Sequence, residues 1–201
     1  MKQGLRFFLI VLFLQNTLVA QDVSYAPKWT ISMDFSFGSE NNIGNPGFLY
    51  QLCGERSLKK NFSMVSGLGG FHSVPALNKE PNGRKSTFGN LYFYQGIAHS
   101  TWFNHNRNFV KIGASLLVAN LTYSYLERSF TTYDDNGTPV TTEVIKFENS
   151  TRLGYHLGLS GGSRISNLST LGLCLDIHSY QIFGDILVVG LRFSHTLSPP
   201  Q

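Results

Sequence analysis

The chain has 201 residues and a mass of 22.4 kDa, with 42% hydrophobic and only 14% charged residues. This length suits about one domain, but average soluble domains carry roughly 25% charged residues, so an ordinary soluble surface is disfavoured. The apolar content excludes disorder, and a mean hydropathy of -0.06 with no late apolar run of about 20 residues excludes a helical membrane protein. The formal net charge is +4 without a basic cluster, so nucleic acid is not an expected partner.

The N-terminus has the anatomy of a signal peptide. Lys2 and Arg6 lead into the apolar run 7–14, which polar residues follow. As a helix this run would rise about 12 Å, far less than the roughly 30 Å of hydrocarbon in a bilayer, so a membrane anchor is not predicted. We predict that residues 1–20 are removed on export and that residues 21–28 form a short periplasmic lead.

The rest of the chain alternates in hydrophobicity every second residue, and no segment shows the sustained 3.6 period of a helix. The clearest alternation predicts four strands, at 29–37, 147–160, 171–178 and 187–194. Noisier segments predict four more strands, at 47–57, 62–74, 88–103 and 109–126. The parity of the apolar residues changes near Leu116-Leu117, which predicts a β-bulge there.

Short and long connections alternate between these strands. The segments 58–61, 104–108 and 164–168 are short, and the segments 38–46, 75–87 and 127–146 are longer. The last connection departs from this pattern, because Phe183-Gly184-Asp185 predicts a tight hairpin. We therefore expect short turns at one end of the sheet and long loops at the other.

Alternation alone does not say whether the apolar face points inward or outward. The polar positions are chiefly Ser, Thr, Gly, Asn and His with few charges, which suits a packed lumen better than a soluble surface. We therefore predict an all-β fold, an eight-stranded antiparallel up-and-down transmembrane β-barrel at 29–195 with a C-terminal tail at 196–201. The alternative is a secreted soluble lipocalin-like barrel that binds an apolar ligand.

Three segments carry a resemblance to known proteins: Tyr92-Phe93-Tyr94-Gln95-Gly96, Phe109-Val110-Lys111-Ile112-Gly113-Ala114 and Leu187-Val188-Val189-Gly190-Leu191-Arg192-Phe193. With the export signal, they make the chain similar to small eight-stranded outer-membrane β-barrels, in particular the porin-like barrel-domain family of Bacteroidetes-type bacteria, which shares the architecture of OmpX and the OmpA membrane domain. Chains of this family commonly stop on an aromatic residue of the last strand, whereas here eight residues follow Phe193.

The resemblance implies an outer-membrane location. It implies outer-membrane lipid as the surroundings, with the barrel assembly machinery and periplasmic chaperones as partners during biogenesis. It further implies a structural, adhesion or surface-interaction role without catalysis.

Several charged or titratable residues fall on the predicted lumen face: Asp34, Glu148, Arg152, His156, Asp176, His178 and Arg192. If the last hairpin centres on Gly184, the numbers of paired residues sum to about 368, and Asp176 lies opposite Arg192. Closure of the barrel then brings Asp34 beside them. We expect these charges to neutralise one another and to plug a lumen too narrow for an aqueous channel. A small pore with an ion or proton path is the alternative.

No segment predicts a catalytic, cofactor-binding or metal site. A histidine precedes a serine at His72-Ser73, His99-Ser100 and His178-Ser179, but adjacent strand residues point to opposite faces and cannot share a proton. His178 shares a face with Asp176, yet only Cys174 lies nearby as a candidate nucleophile. The histidines show no spacing typical of metal ligands.

The longest connection has a turn-forming tip, made of Tyr133, Asp134, Asp135, Asn136 and Gly137. We predict that it is a β-ribbon above the membrane and that the long loops meet an external partner.

The two cysteines, Cys53 and Cys174, fall on the second and seventh predicted strands. In a closed barrel these strands lie three spacings apart, a chord on the order of 13–15 Å, whereas a disulfide allows about 7 Å between Cα atoms. We predict that the two thiols are not bridged.

Overall fold

The computed structural model describes residues 28–40, 45–59, 61–74, 87–134, 136–180 and 186–197. Within these ranges the chain forms eight strands, β1 (Trp29–Glu40), β2 (Asn45–Lys59), β3 (Phe62–Ser73), β4 (Thr87–Phe103), β5 (Asn108–Tyr133), β6 (Pro139–Arg164), β7 (Ser169–Ser179) and β8 (Ile186–Leu197). Each strand pairs antiparallel with its neighbour in sequence, and β8 closes on β1. The predicted eight-stranded up-and-down barrel is confirmed.

Some sequence predictions fall outside the described residues. These are the signal peptide at 1–20, residues 21–27 of the lead, residues 198–201 of the tail, the hairpin Phe183-Gly184-Asp185, and residues 41–44 and 75–86 of two predicted long connections. Nowhere in the described ranges is there a helix long and apolar enough to cross a membrane.

The barrel has two distinct ends. Residues 104–107 and 165–168 form short turns at one end, where β1 begins and β8 finishes, and we call this the turn end. The first of these turns places Asn104, His105 and Asn106 at φ values of 49°, 54° and 61°. Asparagine tolerates this left-handed region better than most residues, which explains its use at this tight connection. We call the opposite end, which carries the β5–β6 connection, the loop end.

Strands β5 and β6 extend far beyond their other neighbours. Pairing between β4 and β5 stops at Ser124, and pairing between β6 and β7 stops at Tyr155, but β5 and β6 remain paired up to Tyr133 and Pro139. Residues 127–133 and 139–146 therefore form a two-stranded ribbon, which confirms the predicted β-ribbon and shortens the connection to residues 134–138. We call this segment the β5–β6 ribbon.

The tip of the ribbon is a compact turn. The Asp134 carboxylate accepts hydrogen bonds from the backbone N–H of Asn136 at 2.9 Å and of Thr138 at 2.7 Å. Gly137 adopts a φ of 77°, a conformation that costs glycine little. Tyr133 and the described tip residues are exposed, and Asp135 lies outside the described residues.

The bulge predicted near Leu116-Leu117 is absent, because the register of β5 with both neighbours runs unbroken through these residues. The irregularity in β5 lies instead between Leu126 and Arg128, at the base of the ribbon. The apparent change of parity has another cause: Leu117 faces the lumen and is fully buried, while Leu116 faces outward and is 79% exposed. Apolar residues therefore occupy both faces of this strand.

Candidate functional site: the charged lumen and the ribbon

The lumen towards the loop end is lined by buried apolar side chains and by buried polar ones, which include Glu40, Ser73, Asn90 and Ser179. Apolar side chains pack into a buried cluster in the interior, and its almost fully buried members are Leu49, Phe71, Phe88, Tyr94, Leu117, Ile186 and Val188. The Phe88 ring lies 5.8 Å from Phe71 and 4.8 Å from Tyr123, measured between ring centroids. The sequence predicted a lumen lined chiefly by Ser, Thr, Gly, Asn and His, and this half of the barrel buries large apolar residues in addition to such polar ones. We call the residues of the buried apolar cluster the apolar plug.

An ion pair between β1 and β8 occupies the middle of the lumen. Asp34 and Arg192 stand directly opposite each other in the register that closes the barrel. The guanidinium donates from Nε to Oδ1 at 2.7 Å and from Nη2 to Oδ2 at 2.5 Å, and both residues are buried. Such a two-point contact between a guanidinium and a carboxylate is strong and geometrically specific.

Neutral polar groups complete the surroundings of this pair. The Gln51 amide donates a hydrogen bond to Asp34 Oδ2, and Tyr92 donates its hydroxyl to Gln51 Oε1 at 3.1 Å. Arg192 also donates from Nη1 to the Ser160 hydroxyl at 3.1 Å. The alternation Leu49, Gln51, Cys53, Glu55 along β2 could have revealed Gln51 as a lumen residue, but the noisy pattern of β2 hid it.

A second buried group lies on β6 and β7. His156 and His178 stand directly opposite each other, with ring centroids 4.8 Å apart. His156 Nε2 lies 2.8 Å from Asp176 Oδ1, and Arg192 Nη2 is farther from that oxygen, at 3.8 Å. The His178 ring also packs edge-on against Tyr92 at 4.6 Å. Asp176 and His178 are both fully buried.

The predicted register of the last hairpin is wrong by two residues on each strand. Paired residue numbers sum to 364, so Asp176 stands opposite Val188, and Arg192 stands opposite Gly172. Arg192 therefore pairs chiefly with Asp34 rather than with Asp176. The paired numbers centre on 182 rather than on 184, so each residue of β8 pairs with a β7 residue four positions before the expected one.

Two of the predicted lumen residues do not join this group. Glu148 and Arg152 are exposed, although they keep the parity of the lumen face. Both lie beyond Tyr155, where β6 rises past the last pair that it makes with β7, and Arg152 pairs only with Ala119 of β5. Hydrophobic periodicity assigns both residues to the lumen face. It does not show that β7, the neighbouring strand, has already ended at this height of the barrel.

The turn end of the lumen is open and polar. A cavity of about 330 Å³ is lined there by hydroxyl, amide and charged side chains, among them Thr30, Glu55, Ser63, Lys111 and Arg164. Lys111 Nζ donates a hydrogen bond to the Glu55 carboxylate, and the two side chains form an ion pair. The same pair lines a smaller inner cavity of about 30 Å³, which reaches His156 and Arg192. Two cavities that share Glu55 and Lys111 thus lie between the turn end and the buried charges.

The two cysteine thiols are free and buried, as the strand order predicts. Cys174 Sγ lies 3.5 Å from the Ser36 hydroxyl. Its sulfur and one carboxylate oxygen each of Asp34 and Asp176 lie within 4.8 Å of one another. This closeness makes the middle of the lumen rich in potential ligand atoms.

The outward face of the barrel is apolar. Large hydrophobic side chains at alternate positions are exposed around the strands, including Met33, Phe35, Leu68, Leu91, Leu116, Leu153 and Leu173. At the turn end an arginine guanidinium lies over each tryptophan ring, Arg56 over Trp29 at 5.6 Å and Arg164 over Trp102 at 5.0 Å. Amphipathic rings of this kind are enriched where a barrel meets the membrane interface.

The β5–β6 ribbon carries a mixed surface. Phe130 pairs across the ribbon with Thr142, and Thr132 pairs with Val140. All four side chains are exposed. Because partners across an antiparallel pair share a face, Phe130 and Val140 form an apolar stripe on one side of the ribbon.

No protein-family model matches the chain, and no curated protein matches its sequence. Solved structures do match its fold. A major outer membrane protein from Thermus thermophilus is 10% identical with a TM-score of 0.56, and the match covers 86% of this chain and all of that one. The N-terminal β-barrel domain of Pseudomonas aeruginosa OprF is 10% identical with a TM-score of 0.53, covering 84% and 97% of the two chains.

Neisserial surface protein A is a third similar structure, at 8% identity and a TM-score of 0.52, with 85% of this chain and 96% of that one covered. Identities this low establish the fold alone. The chain therefore has the fold of the small eight-stranded outer-membrane β-barrels.

Proposed function

We propose that this protein is an outer-membrane β-barrel that holds the β5–β6 ribbon above the membrane for contact with an external partner. It belongs, in this proposal, to the porin-like barrel-domain family of Bacteroidetes-type bacteria. The observation that carries the proposal is the ribbon on a closed barrel with an apolar outer face. Such a face needs lipid around it, because exposed apolar patches of this extent are rare on soluble monomers.

The ribbon is suited to binding an extended peptide segment. Residues 128–132 and 140–144 pair with each other, and no third strand among the described residues covers their outer edges. An uncovered strand edge offers backbone donors and acceptors for pairing with another chain. The exposed Phe130 and Val140 add apolar contacts beside that edge.

The lumen serves a structural role in this proposal and carries no catalysis. The apolar plug packs inside the lumen, and the Asp34–Arg192 pair crosses the middle. No described serine or threonine hydroxyl is hydrogen-bonded to His156 or His178, so a nucleophile activated by either histidine is not supported. Outer-membrane lipid surrounds the barrel, and periplasmic chaperones with the barrel assembly machinery deliver it after signal-directed export.

Removal of the ribbon tests the proposed role. Replacing residues 126–145 with Asn-Gly connects the last pair, Tyr125 and Lys146, by a two-residue hairpin. We expect the barrel to fold and insert unchanged, because the described ribbon pairs only with itself. Attachment of expressing cells to immobilised proteins that expose extended peptide segments should fall.

Two double substitutions distinguish the faces of the ribbon, and the second of them is the control. Phe130→Ser with Val140→Ser should weaken attachment, whereas Thr131→Ser with Thr141→Ser, on the other face of the ribbon, should leave it unchanged. Full attachment by the ribbon-deleted protein, with attachment lost in lumen variants, would contradict the proposed role.

The outward face is tested by a charge at mid-barrel. Leu116 is 79% exposed and lies near the middle of the part of β5 that is paired on both sides. We expect Leu116→Arg to lower the free energy of unfolding in lipid vesicles by about 2–4 kcal/mol, the usual cost of an arginine at the bilayer midplane.

The control for this prediction is Thr142→Arg on the exposed ribbon, which should change the stability by less than about 0.5 kcal/mol. Urea titrations in phosphatidylcholine vesicles give both values. A secreted lipocalin-like protein would instead be recovered without detergent, and Leu116→Arg would leave its stability unchanged.

A further inference from the structure

The cavity at the turn end differs from the rest of the lumen in its lining. Seven hydroxyl side chains and two asparagines surround it, together with three basic residues and one acidic residue. Its volume of about 330 Å³ lies at the lower end of the range of roughly 300–1,000 Å³ that is usual for small-molecule sites. A cavity of this size and lining suits a small polar molecule.

The basic residues of this cavity outnumber the carboxylates that could neutralise them. Lys111 is paired with Glu55, the one acidic residue of the lining. Neither Lys28 nor Arg164 forms an ion pair with any other described residue. Three basic residues minus one acidic residue leave the lining with a net charge of +2, which attracts an anion that approaches from the turn end.

Arg164 is oriented for contact with an anion. Its guanidinium carbon lies over the ring of Trp102, 5.0 Å from the centroid. Stacking of this kind uses the flat face of the guanidinium, so its N–H groups point sideways in the plane. These N–H groups have no hydrogen-bond partner among the described residues. A carboxylate can therefore accept two hydrogen bonds from Arg164 while Trp102 holds the side chain in place.

Hydroxyl groups continue from Arg164 along one wall of the cavity. Arg164 pairs with Thr170 of β7, and Thr170 pairs with Ser194 of β8. Neighbouring strands lie about 4.8 Å apart, so this row of three residues spans about 10 Å. The Thr170 hydroxyl has no partner among the described residues, and the Ser194 hydroxyl accepts a hydrogen bond from Ser32 at 2.8 Å. The row thus places hydroxyl groups beside a cation.

The opposite wall carries further hydroxyl groups. Ser57 of β2 and Ser100 of β4 line the cavity, and both residues are partly buried. Within the described part of the chain, neither side chain has a hydrogen-bond partner. Partly buried hydroxyl groups are normally satisfied by water or by a ligand. A ligand with several hydroxyl groups can replace such waters without leaving polar groups unpaired.

The rim of the cavity is held in shape by backbone hydrogen bonds. The Ser57 N–H donates to the Lys28 carbonyl at 3.0 Å, and the Arg164 N–H donates to the Arg107 carbonyl at 2.7 Å. These bonds join neighbouring segments at the end of the barrel and fix the backbone of residues that line the cavity. A binding site that exists before the ligand arrives loses less conformational entropy on binding.

From these features we propose that the turn-end cavity binds an acidic sugar, a single sugar ring that carries one carboxylate. The carboxylate pairs with Arg164, and the ring hydroxyls contact Thr170 and Ser194 on one wall and Ser57 and Ser100 on the other. Barrels of this class have short periplasmic turns and longer outer loops, so the ligand enters from the periplasm. The site is independent of the proposed role of the ribbon.

Titration with three probes tests the proposal. Glucuronate carries both the carboxylate and the hydroxyl groups, whereas acetate carries only the carboxylate and glucose only the hydroxyl groups. Isothermal titration calorimetry of the detergent-folded chain should show saturable binding of glucuronate and at least tenfold weaker binding of the other two. Equal affinity for acetate would mean a simple anion site, and equal affinity for glucose would remove the role of Arg164. Either result, or no binding of glucuronate by a barrel with the folded gel mobility, would overturn the proposal.

Fluorescence places the bound probe in the cavity. The chain has two tryptophans, and Trp29→Phe leaves Trp102, which lines the cavity, as the only one. Glucuronate should change the fluorescence of Trp102 with the same midpoint as the calorimetric titration. Calorimetric binding of glucuronate without any change at Trp102 would place the ligand elsewhere and contradict the site.

Variants with matched controls identify the contacts. Arg164→Gln should weaken glucuronate binding more than about tenfold and leave the weak binding of glucose unchanged, because a charge-assisted contact is lost. Thr170→Val, which removes one hydroxyl group, should weaken binding of both sugars by about three- to tenfold. Arg107→Gln and Thr101→Val make the same changes at exposed residues outside the lining and should bind as the wild type does. Equal losses in Arg107→Gln and Arg164→Gln would indicate general attraction by the basic turn end and overturn the assigned site.

Discussion

Replacing Arg192 with leucine should lower the free energy of unfolding of the detergent-folded barrel by roughly 3–5 kcal/mol, the largest effect expected of any single charge in the protein. The substitution removes both guanidinium hydrogen bonds from Asp34 and leaves that buried carboxylate with Gln51 as its remaining side-chain partner. The measurement is urea unfolding followed by gel mobility or tryptophan fluorescence.

Second substitutions test whether the loss comes from an uncompensated charge. Asp34→Asn combined with Arg192→Leu should recover a large part of the stability, because it removes the buried charge that the single variant leaves. Asp176→Asn combined with Arg192→Leu should recover less, because the Asp176 carboxylate lies 3.8 Å from the guanidinium in a single weak contact. Wild-type stability of the Arg192→Leu barrel would mean that water solvates Asp34, as in an aqueous pore.

The difference expected between these two double variants depends on the pairing register of the strands, which the sequence does not determine. Alternation along β7 and β8 places Asp176 and Arg192 on the lumen face, and the structure keeps both there. Their pairing depends on the centre of a hairpin, and a shift of two residues on each strand preserves every face while changing every partner. Periodicity therefore predicted which residues enter the lumen but not which of them meet.

The limits of the sequence are clearest on β5 and β6. The ribbon was predictable from its turn-forming tip, because Asn136-Gly137 indicates a hairpin. The place where β6 leaves the wall was not, since it depends on where β7 stops, and Arg152 was therefore placed inside the lumen. Likewise, the adjacent leucines Leu116 and Leu117 led to the prediction of a bulge. Leu116 lies on the apolar outer face and Leu117 in the apolar plug, so leucine occurs on both faces without a change of register.

The spacing of His156 and His178 along the sequence does not predict that their rings are in contact. It needs the β6–β7 register, which places residues 156 and 178 opposite each other. Each histidine alone is an ordinary lumen residue, and only the pairing of β6 with β7 brings the two rings together next to Asp176. The charged lumen is thus a product of barrel closure and strand pairing rather than of a local motif.

Truncation of a plug residue should have an effect similar in size to the loss of Arg192, by a different mechanism. Phe88 is almost fully buried and packs against Phe71 and Tyr123. We expect Phe88→Ala to lower the free energy of unfolding by about 3–5 kcal/mol, because a buried ring is replaced by a cavity that its neighbours fill only partly. Phe130→Ala on the exposed ribbon should change the stability by less than about 0.5 kcal/mol.

The same variant shows whether the plug closes the barrel to ions. In planar bilayers the wild type should show little steady conductance, because buried apolar side chains pack against one another inside the lumen. Combining Phe88→Ala with Leu117→Ala removes two of the largest plug side chains and should raise the frequency of brief openings. Large, steady conductance of the wild type, unchanged in the double variant, would contradict the plug and identify the protein as a small channel whose conducting path bypasses these residues.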